Sequence, residues 1–167
     1  MTLRVESLEP SHDLSKFTCG NVQLDEWLRA HALLATGQGT RTYVVVDDDD
    51  AVVAYFAIAP HVVDRADTPK KLARGAPRQI PSILLAKLAL SESLHGHGLG
   101  SELLVHALQT IVGAARTAGG KLVVVDAIDD AAVAFYVHHD FAPLPNRPDR
   151  LVIKMSTVAK ALGADWP

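Results

Sequence analysis

Residues 88–101 read Leu-Ala-Leu-Ser-Glu-Ser-Leu-His-Gly-His-Gly-Leu-Gly-Ser, and this stretch decides the fold. The apolar run Ile80–Leu90 leads into it and predicts a buried strand, and the apolar stripe after it predicts a helix from about Gly98 to Thr117. Between the two, three glycines fall within five residues, so backbone N–H groups can converge there without interference from a Cβ atom. The stretch therefore predicts a strand, a glycine loop and the start of a helix.

The glycine loop has two interpretations. The first turn of the following helix supplies N–H donors and the positive end of the helix dipole, which together with the loop form a site for phosphate oxygens. A tight turn between a strand and a helix would need the same glycines. The loop has neither the lysine of a P-loop nor the glycine spacing of a dinucleotide-binding motif, so the motif alone leaves both interpretations open.

The composition is typical of a soluble globular domain. The chain has 167 residues, of which 49% are hydrophobic and 21% charged, and this length is sufficient for one hydrophobic core. We expect a single domain over residues 1–167, without a signal peptide or a membrane span. The one cysteine, Cys19, excludes an internal disulfide and fits a reducing cytoplasm, and the eight histidines form no obvious ligand set, so no metal is expected.

The remaining patterns predict a mixed sheet of the α/β class with hairpins early and crossover helices late. Asn21 is predicted to cap a helix that extends to about Leu34, and Asp47–Asp50 is predicted to turn between two strands. Strands are predicted at Arg41–Val46, Val52–Ile58, Lys121–Asp126, Phe141–Leu144 and Leu151–Met155. A helix is predicted from Asp129 to about His139. Asp64–Gln79 is predicted to form a long loop with one helical turn, and Val158–Pro167 a C-terminal tail.

The segment 65–87 is strongly basic. It carries six basic residues and one acidic residue, a local charge of +5 in a chain whose net charge is −3. Such a block can attract a polyanion such as a nucleic acid, although a solvated loop can carry the same charges without a ligand. The charge alone favours the solvated loop.

The glycine loop, taken with the C-terminal half, resembles the GNAT acetyltransferases, whose motif is Gln/Arg-x-x-Gly-x-Gly/Ala. The matching residues are His95-Gly96-His97-Gly98-Leu99-Gly100, Val123–Asp126, Asp129-Asp130 and Phe135-Tyr136. The resemblance implies the GNAT fold, in which helices flank a mostly antiparallel central sheet with splayed strands. His95 departs from the family's Gln or Arg, and Asp140 stands where the family has a glycine.

The same resemblance implies a binding site for acetyl-coenzyme A. It implies that the backbone of Leu88, Ala89 and Leu90 bonds to the pantetheine arm, and that the amides of the glycine loop hold the pyrophosphate. The loop residues so implied are His95, Gly96, His97, Gly98, Leu99, Gly100 and Ser101, and Asp129 and Phe135 complete the predicted coenzyme site.

Phe17–Leu28, Gly39–Val45 and Arg78–Pro81 resemble a narrower group, the GNAT toxins of bacterial toxin–antitoxin pairs. This resemblance implies acetylation of the α-amine of aminoacyl-tRNA, which stops translation. It also implies a ribbon-helix-helix antitoxin as partner and a homodimer. If tRNA is the substrate, the basic segment can bind its phosphates. The residues predicted to contact the tRNA are Arg41, Lys70, Lys71, Arg78 and Lys87.

Tyr136 is the candidate general acid. Acetyl transfer needs a neutral amine and a proton for the departing thiolate, and a phenol of pKa ~10 is matched to a thiol leaving group. An α-amine titrates near pH ~8, so a fraction is neutral at physiological pH without a strong base, in agreement with the lack of an obvious catalytic glutamate. Core packing is the alternative role for the pair Phe135-Tyr136.

Two other functions stay open at the level of sequence. One is a GNAT enzyme that acts on a small amine or a protein N-terminus, and the other is a binding module that has the fold without catalysis. Tyr136 and the loop glycines favour an enzyme, whereas His95 is the feature that favours the binding module.

Overall fold

A computed structural model describes residues 2–167, within which seven strands form one sheet in the order β1-β2-β3-β4-β5-β7-β6. The helices and strands are, in chain order, β1 (Arg4–Ser7), α1 (Val22–Ala30), α2 (Ala32–Thr36), β2 (Arg41–Val46), β3 (Val52–Asp64), α3 (Lys70–Ala73), β4 (Gln79–Leu90), α4 (Leu99–Ala118), β5 (Leu122–Asp126), α5 (Asp130–His138), β6 (Ala142–Leu144), β7 (Arg147–Lys154) and α6 (Met155–Ala161). Short 3-10 turns lie at Arg65–Asp67 and Glu92–Leu94.

The sheet is mixed, as predicted. β1 with β2, β2 with β3, β5 with β7 and β6 with β7 pair antiparallel. β4 and β5 instead pair in parallel, with Ser82–Leu85 opposite Leu122–Val125. The long helix α4 connects these two strands, as a parallel pair requires. The predicted fold class, a mostly antiparallel mixed sheet with flanking helices, is confirmed.

The chain divides into two compact units. The first consists of the residues up to Ala59 together with Ala86–Ala107, and the second of Pro60–Leu85 together with Leu108–Pro167. β3, β4 and α4 each contribute residues to both units.

Tyr55 lies at the centre of the first unit. Its ring is fully buried, contacts Phe17 edge-on at 5.6 Å between centroids and stacks on Trp27 at 6.1 Å. Its hydroxyl donates to the carbonyl oxygen of Leu24 at 2.6 Å, which joins α1 to β3. The buried side chains around it are Cys19, Leu28, Ala32, Val44, Val46, Val52 and Ala89.

One hydrophobic cluster of the second unit is built from strands β3 to β7, from α3 and from the loop that follows α3. The side chains that form it are Val63, Ala73, Ala76, Ile80, Leu122, Val124, Leu144 and Val152. Burial of apolar surface of this extent is the main stabilising contribution to such a unit.

The predicted helix cap at Asn21 is confirmed. The side chain of Asn21 accepts from the amide of Leu24 at 3.0 Å and caps α1. α1 ends at Ala30, however, and a second short helix follows, so the single helix predicted to Leu34 is wrong. His31 is the break, because its backbone is not helical (φ −124°).

The C-terminal boundaries differ from the prediction. β7 begins at Arg147, four residues before the predicted Leu151, because the turn-like sequence Arg147–Arg150 pairs with β5 and β6. Residues predicted as a strand end and a tail instead form α6, which buries Met155, Val158 and Ala159. The three lie on one helical face, a spacing that was present in the sequence.

Candidate active site

The end of β4 carries Leu88, Ala89 and Leu90 past the region that pairs with β5. The parallel ladder ends with the pair Leu85–Val125, so these three residues take no part in it. Ala89 is buried, and the two leucines are half-buried. Backbone groups beyond the end of a ladder can bond to a ligand in place of a neighbouring strand.

The glycine loop that follows is exposed and has the backbone conformation that only glycine adopts easily. Gly96 and Gly98 have φ values of +80° and +75°. A Cβ atom built on either residue would meet no protein atom within 4 Å. The need for glycine therefore comes from the backbone angle, and the space in front of both residues is open to a ligand.

His95 joins the loop to the strand that precedes it. Its Nε2 lies 2.7 Å from the carbonyl oxygen of Leu90, and because that oxygen can only accept, Nε2 carries the proton and donates. The backbone amide of His95 donates to the carbonyl oxygen of Glu92 at 3.1 Å. Side chain and backbone thus both fix the start of the loop, and the imidazole that replaces the family's Gln or Arg is engaged by Leu90.

The loop leads directly into α4, whose first residue is Leu99. This helix has 20 residues, and the first turn of a helix presents N–H groups without intrahelical partners and the positive end of the dipole. The half-buried residues Gly100 and Ser101 lie in this turn, whereas His97 is exposed before it. Loop and helix start together have the features of an anion site.

Tyr136 is buried near the end of α5 in the second unit. Only 7% of its surface is exposed, and its ring packs edge-on against Phe135 and Phe141, with centroids 5.3 and 5.4 Å away. Burial raises the pKa of Tyr136 above its ordinary value. The phenol is therefore protonated at neutral pH, as a proton donor must be.

The residues predicted beside Tyr136 have structural contacts of their own. The carboxylate of Asp129 accepts from the amide of Ala132 at 2.8 Å and caps α5. Phe135 is half-buried and contacts the ring of His139 at 4.8 Å. Asp140 has a φ of +71°, so it adopts the left-handed conformation that favours glycine, the residue that the family has at this position.

Two of the predicted tRNA contacts line one cavity. A cavity of about 490 Å³ in the second unit is lined by Arg65, Ala66, Thr68, Lys70, Ala73 and Arg78. It therefore brings Lys70 and Arg78 together with Arg65, which was not among the predicted contacts although it belongs to the same basic segment. Lys71 is exposed on α3.

The other two predicted contacts, both in the first unit, have partners. The Nζ atom of Lys87 lies over the ring of Trp27, 5.3 Å from its centroid, in a cation–π contact. Arg41 is exposed, and its Nη1 donates to the carbonyl oxygen of Thr36 at 3.0 Å.

No pattern in the sequence indicated a charged network in the second unit. Arg150 on β7 pairs with Asp126 at the end of β5 through two hydrogen bonds of 2.7 Å, and its Nη1 lies 2.8 Å from Nε2 of His61. Arg150 and Asp126 are cross-strand partners. Only the register of the two strands brings them together, so no local signal could have found the pair.

The model of the Acetyltransferase (GNAT) family matches residues 7–141. The chain belongs to the GNAT acetyltransferase family. It is also 36% identical over 156 residues to a tRNA-acetylating toxin of Mycobacterium tuberculosis (strain ATCC 25618 / H37Rv), a match that covers 93% of this chain and 94% of the relative.

Solved structures agree with this acetyltransferase assignment. AtaT complexed with acetyl-methionyl-tRNAfMet is 26% identical, with a TM-score of 0.87 over 96% of this chain and 99% of that one. AtaT bound to the C-terminus of the antitoxin AtaR is 25% identical, with a TM-score of 0.81 over 95% and 97%. AtaTR bound with AcCoA is 25% identical, with a TM-score of 0.80 over 95% and 97%.

Two further features of this acetyltransferase concern residues 2–167. None of the helices there is both long and apolar enough to span a bilayer. In the same part of the chain, no group of three or more His, Cys, Asp or Glu side chains is arranged to hold a metal ion.

Proposed function

We propose that this acetyltransferase transfers the acetyl group of acetyl-coenzyme A to the α-amine of aminoacyl-tRNA and thereby stops translation. The observation that carries the proposal is the exposed loop with Gly96 and Gly98 at positive φ directly before α4. A loop of this form suits a pyrophosphate. The likeness to a tRNA-acetylating toxin over 93% of the chain supports tRNA as the acceptor.

The coenzyme is proposed to bind to residues of β4, the glycine loop and α4. The backbone of Leu88–Leu90 holds the pantetheine arm, and the amides of residues 96–101 hold the pyrophosphate. His95, whose own amide bonds to the carbonyl oxygen of Glu92, fixes the start of the loop. The open space in front of Gly96 and Gly98 supports this assignment, because a side chain at either position would fill the room that phosphate oxygens need. Asp129 acts indirectly, since its carboxylate fixes the start of α5.

Acetyl-coenzyme A supplies the activated thioester, and the chain supplies a proton and a dry environment. The neutral amine attacks the thioester carbonyl, and the C–S bond breaks as the C–N bond forms. Tyr136 donates its phenolic proton to the departing thiolate, and the proton lost by the amine nitrogen restores the phenol. Burial raises the pKa of a phenol and of a thiol alike, so the two stay matched when the thiolate departs in the same buried environment. The α-amine of an aminoacyl ester is partly neutral at physiological pH, so the reaction needs no strong base.

The tRNA is proposed to bind through phosphate contacts in the basic segment. Arg65, Lys70 and Arg78 line one cavity, and three cations at one cavity suit a phosphate of the acceptor end. Arg41 and Lys71 are exposed and are assigned to phosphates further out. The Nζ atom of Lys87 lies over the ring of Trp27, from where it contributes to the field that attracts the tRNA.

The proposal includes a partner, an oligomeric state and a place of action. The likeness to AtaT, which binds the C-terminus of the antitoxin AtaR, supports a cognate antitoxin, and we assign it to the ribbon-helix-helix class. The enzyme is proposed to act as a homodimer in the cytoplasm, where charged tRNA is found. Size-exclusion chromatography with light scattering tests the dimer.

The decisive experiment is incubation of the enzyme with charged tRNA and labelled acetyl-CoA. Label is expected in the aminoacyl group, released as an N-acetyl amino acid on mild alkaline hydrolysis of the ester. Uncharged tRNA and free amino acids are the controls. Label in a free amine but not in the aminoacyl ester would contradict the tRNA proposal and support a small-molecule acetyltransferase.

A further inference from the structure

The network of Asp126, Arg150 and His61 holds a guanidinium in one position. The Nε and Nη2 atoms of Arg150 each donate to one carboxylate oxygen of Asp126 at 2.7 Å. The third nitrogen, Nη1, lies 2.8 Å from Nε2 of His61. The side chain of Arg150 is only 16% exposed, so the guanidinium is shielded from water on most sides, whereas the side chain of Asp126 is 33% exposed. A bidentate pair with a third contact leaves the planar group little freedom.

The contact with Arg150 fixes the protonation of His61. An arginine nitrogen can only donate, so Nε2 of His61 must accept, and the ring is neutral with its proton on Nδ1. Burial lowers the pKa of His61, the positive charges of Arg150 and Arg147 lower it further, and Asp126 partly offsets them. Burial by itself would raise the pKa of Asp126, but the hydrogen bonds and charge of Arg150 hold it below its ordinary value.

The network lies where β4 and β5 stop pairing. Their ladder ends with the pair Leu85–Val125, and Asp126 is the next residue of β5. Arg150 also lines a cavity of about 330 Å³. The other residues that line it are Val62, Val63, Asp64, Asp67, Leu144, Asn146 and Arg147.

The charges around this cavity suit an amine better than a phosphate. Asp64 and Asp67 line it, and both arginines that line it lie near carboxylates, since Arg147 is 3.5 Å from Asp149 and 3.9 Å from Asp126. Carboxylates repel the phosphates of a coenzyme and attract an ammonium group. This cavity thus differs from the one lined by Lys70 and Arg78 in the same unit, which is basic.

We propose that Arg150, held by Asp126 and by neutral His61, is a positioning residue for the acceptor and binds the carbonyl oxygen of its α-amino ester. The inference rests on the proposed function. A guanidinium has five N–H bonds, and the contacts with Asp126 and His61 use three of them. The other two can donate to the ester carbonyl, which orients the adjacent amine for attack.

Protonation of His61 disrupts this arrangement. An imidazolium has no acceptor for Nη1 of Arg150, and two cations would then face each other. The groups that act on His61 are Arg150 and Arg147 on β7 and Asp126 on β5. Acceptor use is therefore expected to fall at acid pH for a reason that belongs to the enzyme, in addition to protonation of the amine itself.

Steady-state kinetics with aminoacyl-tRNA and acetyl-CoA test the assignment. In Arg150→Lys and His61→Leu the KM for aminoacyl-tRNA is expected to rise by about 10-fold or more, because a charged hydrogen bond is lost or misplaced. The KM for acetyl-CoA is expected to stay within about twofold. His61→Gln, whose side-chain oxygen can still accept from Nη1, is expected to restore most of the acceptor KM. Arg4→Lys is the matched control, since Arg4 pairs with Asp50 at the exposed surface.

A pH series separates positioning from a structural role. We expect the ratio of kcat/KM for His61→Gln to that for the wild type to rise as the pH falls from 7.5 to 5.5. The titration of the substrate amine cancels in this ratio. A flat ratio together with an unchanged acceptor KM in both His61 variants would overturn the proposal.

Outcomes for this inference and for the proposed function remain distinguishable. If the wild-type enzyme acetylates aminoacyl-tRNA but the variants change only the KM for acetyl-CoA, the positioning role is wrong and the function stands. If the wild type does not acetylate aminoacyl-tRNA, both are wrong. If Arg150→Lys does not fold, as circular dichroism would report, the two His61 variants and the pH series decide.

Discussion

The imidazole of His95 donates a hydrogen bond of 2.7 Å from Nε2 to the carbonyl oxygen of Leu90. The bond spans the start of the glycine loop and joins it to the last residue of β4. His95, which stands where the family has Gln or Arg, therefore has a structural role, because it holds the loop in place by its bond to the strand.

His95→Leu is therefore expected to weaken acetyl-CoA binding by about 5- to 10-fold, since a net hydrogen bond contributes about 1 kcal/mol. His95→Gln, which keeps a donor, is expected to retain most of the affinity. Isothermal titration calorimetry checks both, with His97→Leu in the same exposed loop as the control. Equal losses in His95→Leu and His97→Leu would contradict a specific role for His95.

Gly98→Ala is expected to weaken acetyl-CoA binding far more than it destabilises the protein. At a φ of +75° an alanine costs about 1–2 kcal/mol of stability, and its Cβ would occupy the open space in front of the loop. Gly163→Ala is the matched control, because Gly163 has a φ of +69° and a Cβ there also meets no protein atom within 4 Å. Both variants should lose similar stability in thermal unfolding. Only Gly98→Ala should lose coenzyme affinity in calorimetry.

Tyr136→Phe is expected to lower the rate of acetyl transfer by about 100-fold or more, because the proton for the thiolate is lost. Acetyl-CoA affinity and unfolding should change little, since the ring contacts with Phe135 and Phe141 need no hydroxyl. Tyr43→Phe, in which the ring still stacks on Phe56, is the matched control for loss of a phenol. Single-turnover kinetics measure the step directly. A wild-type rate in Tyr136→Phe would remove this residue from the mechanism.

Arg78→Ala and Lys70→Ala are each expected to weaken tRNA binding and to reduce the slope of log K against log [salt] by about 1. Both residues line one basic cavity, so the reduction should be the same for different tRNAs. Filter binding at several salt concentrations gives the slope. Lys160→Ala, an exposed position in the last turn of α6, should leave it unchanged. A slope that does not change in Arg78→Ala would place the phosphates elsewhere.

The sequence predicted best where a local pattern is sufficient. The strand Gln79–Leu90, the glycines at positive φ and the helix Leu99–Ala118 follow from apolar run length, glycine chemistry and helical period. The caps at Asn21 and Asp129 follow from residue type alone.

Features that depend on strand register were beyond a local pattern. Arg147–Arg150 reads as a turn because it is charged and contains a proline, yet pairing with Asp126 makes it a strand. The contact of Arg150 with His61 joins residues 89 positions apart. The cation–π contact of Lys87 with Trp27 likewise needs the packing of α1 beside β4, and the charge of Lys87 alone indicated only a basic segment.

The free energy of unfolding should fall at acid pH in two separate steps that come from the network of Asp126, Arg150 and His61. His61 has a lowered pKa in the folded state, so the unfolded chain takes up its proton first, and stability falls as the pH drops below about 6.5. Asp126 also has a lowered pKa, so its contribution is present above about pH 4 and is lost as the pH falls through the folded value. His61→Gln should remove the upper contribution and Asp126→Asn the lower one, each changing the slope by at most about 1.4 kcal/mol per pH unit. Urea unfolding from pH 7.5 to 3 measures the free energy of unfolding of each variant and of the wild type. The contributions of the other carboxylates cancel in the difference between the two. A pH dependence of unfolding in His61→Gln that matches the wild type between pH 6.5 and 5 would show that the imidazole is not neutral in the folded protein.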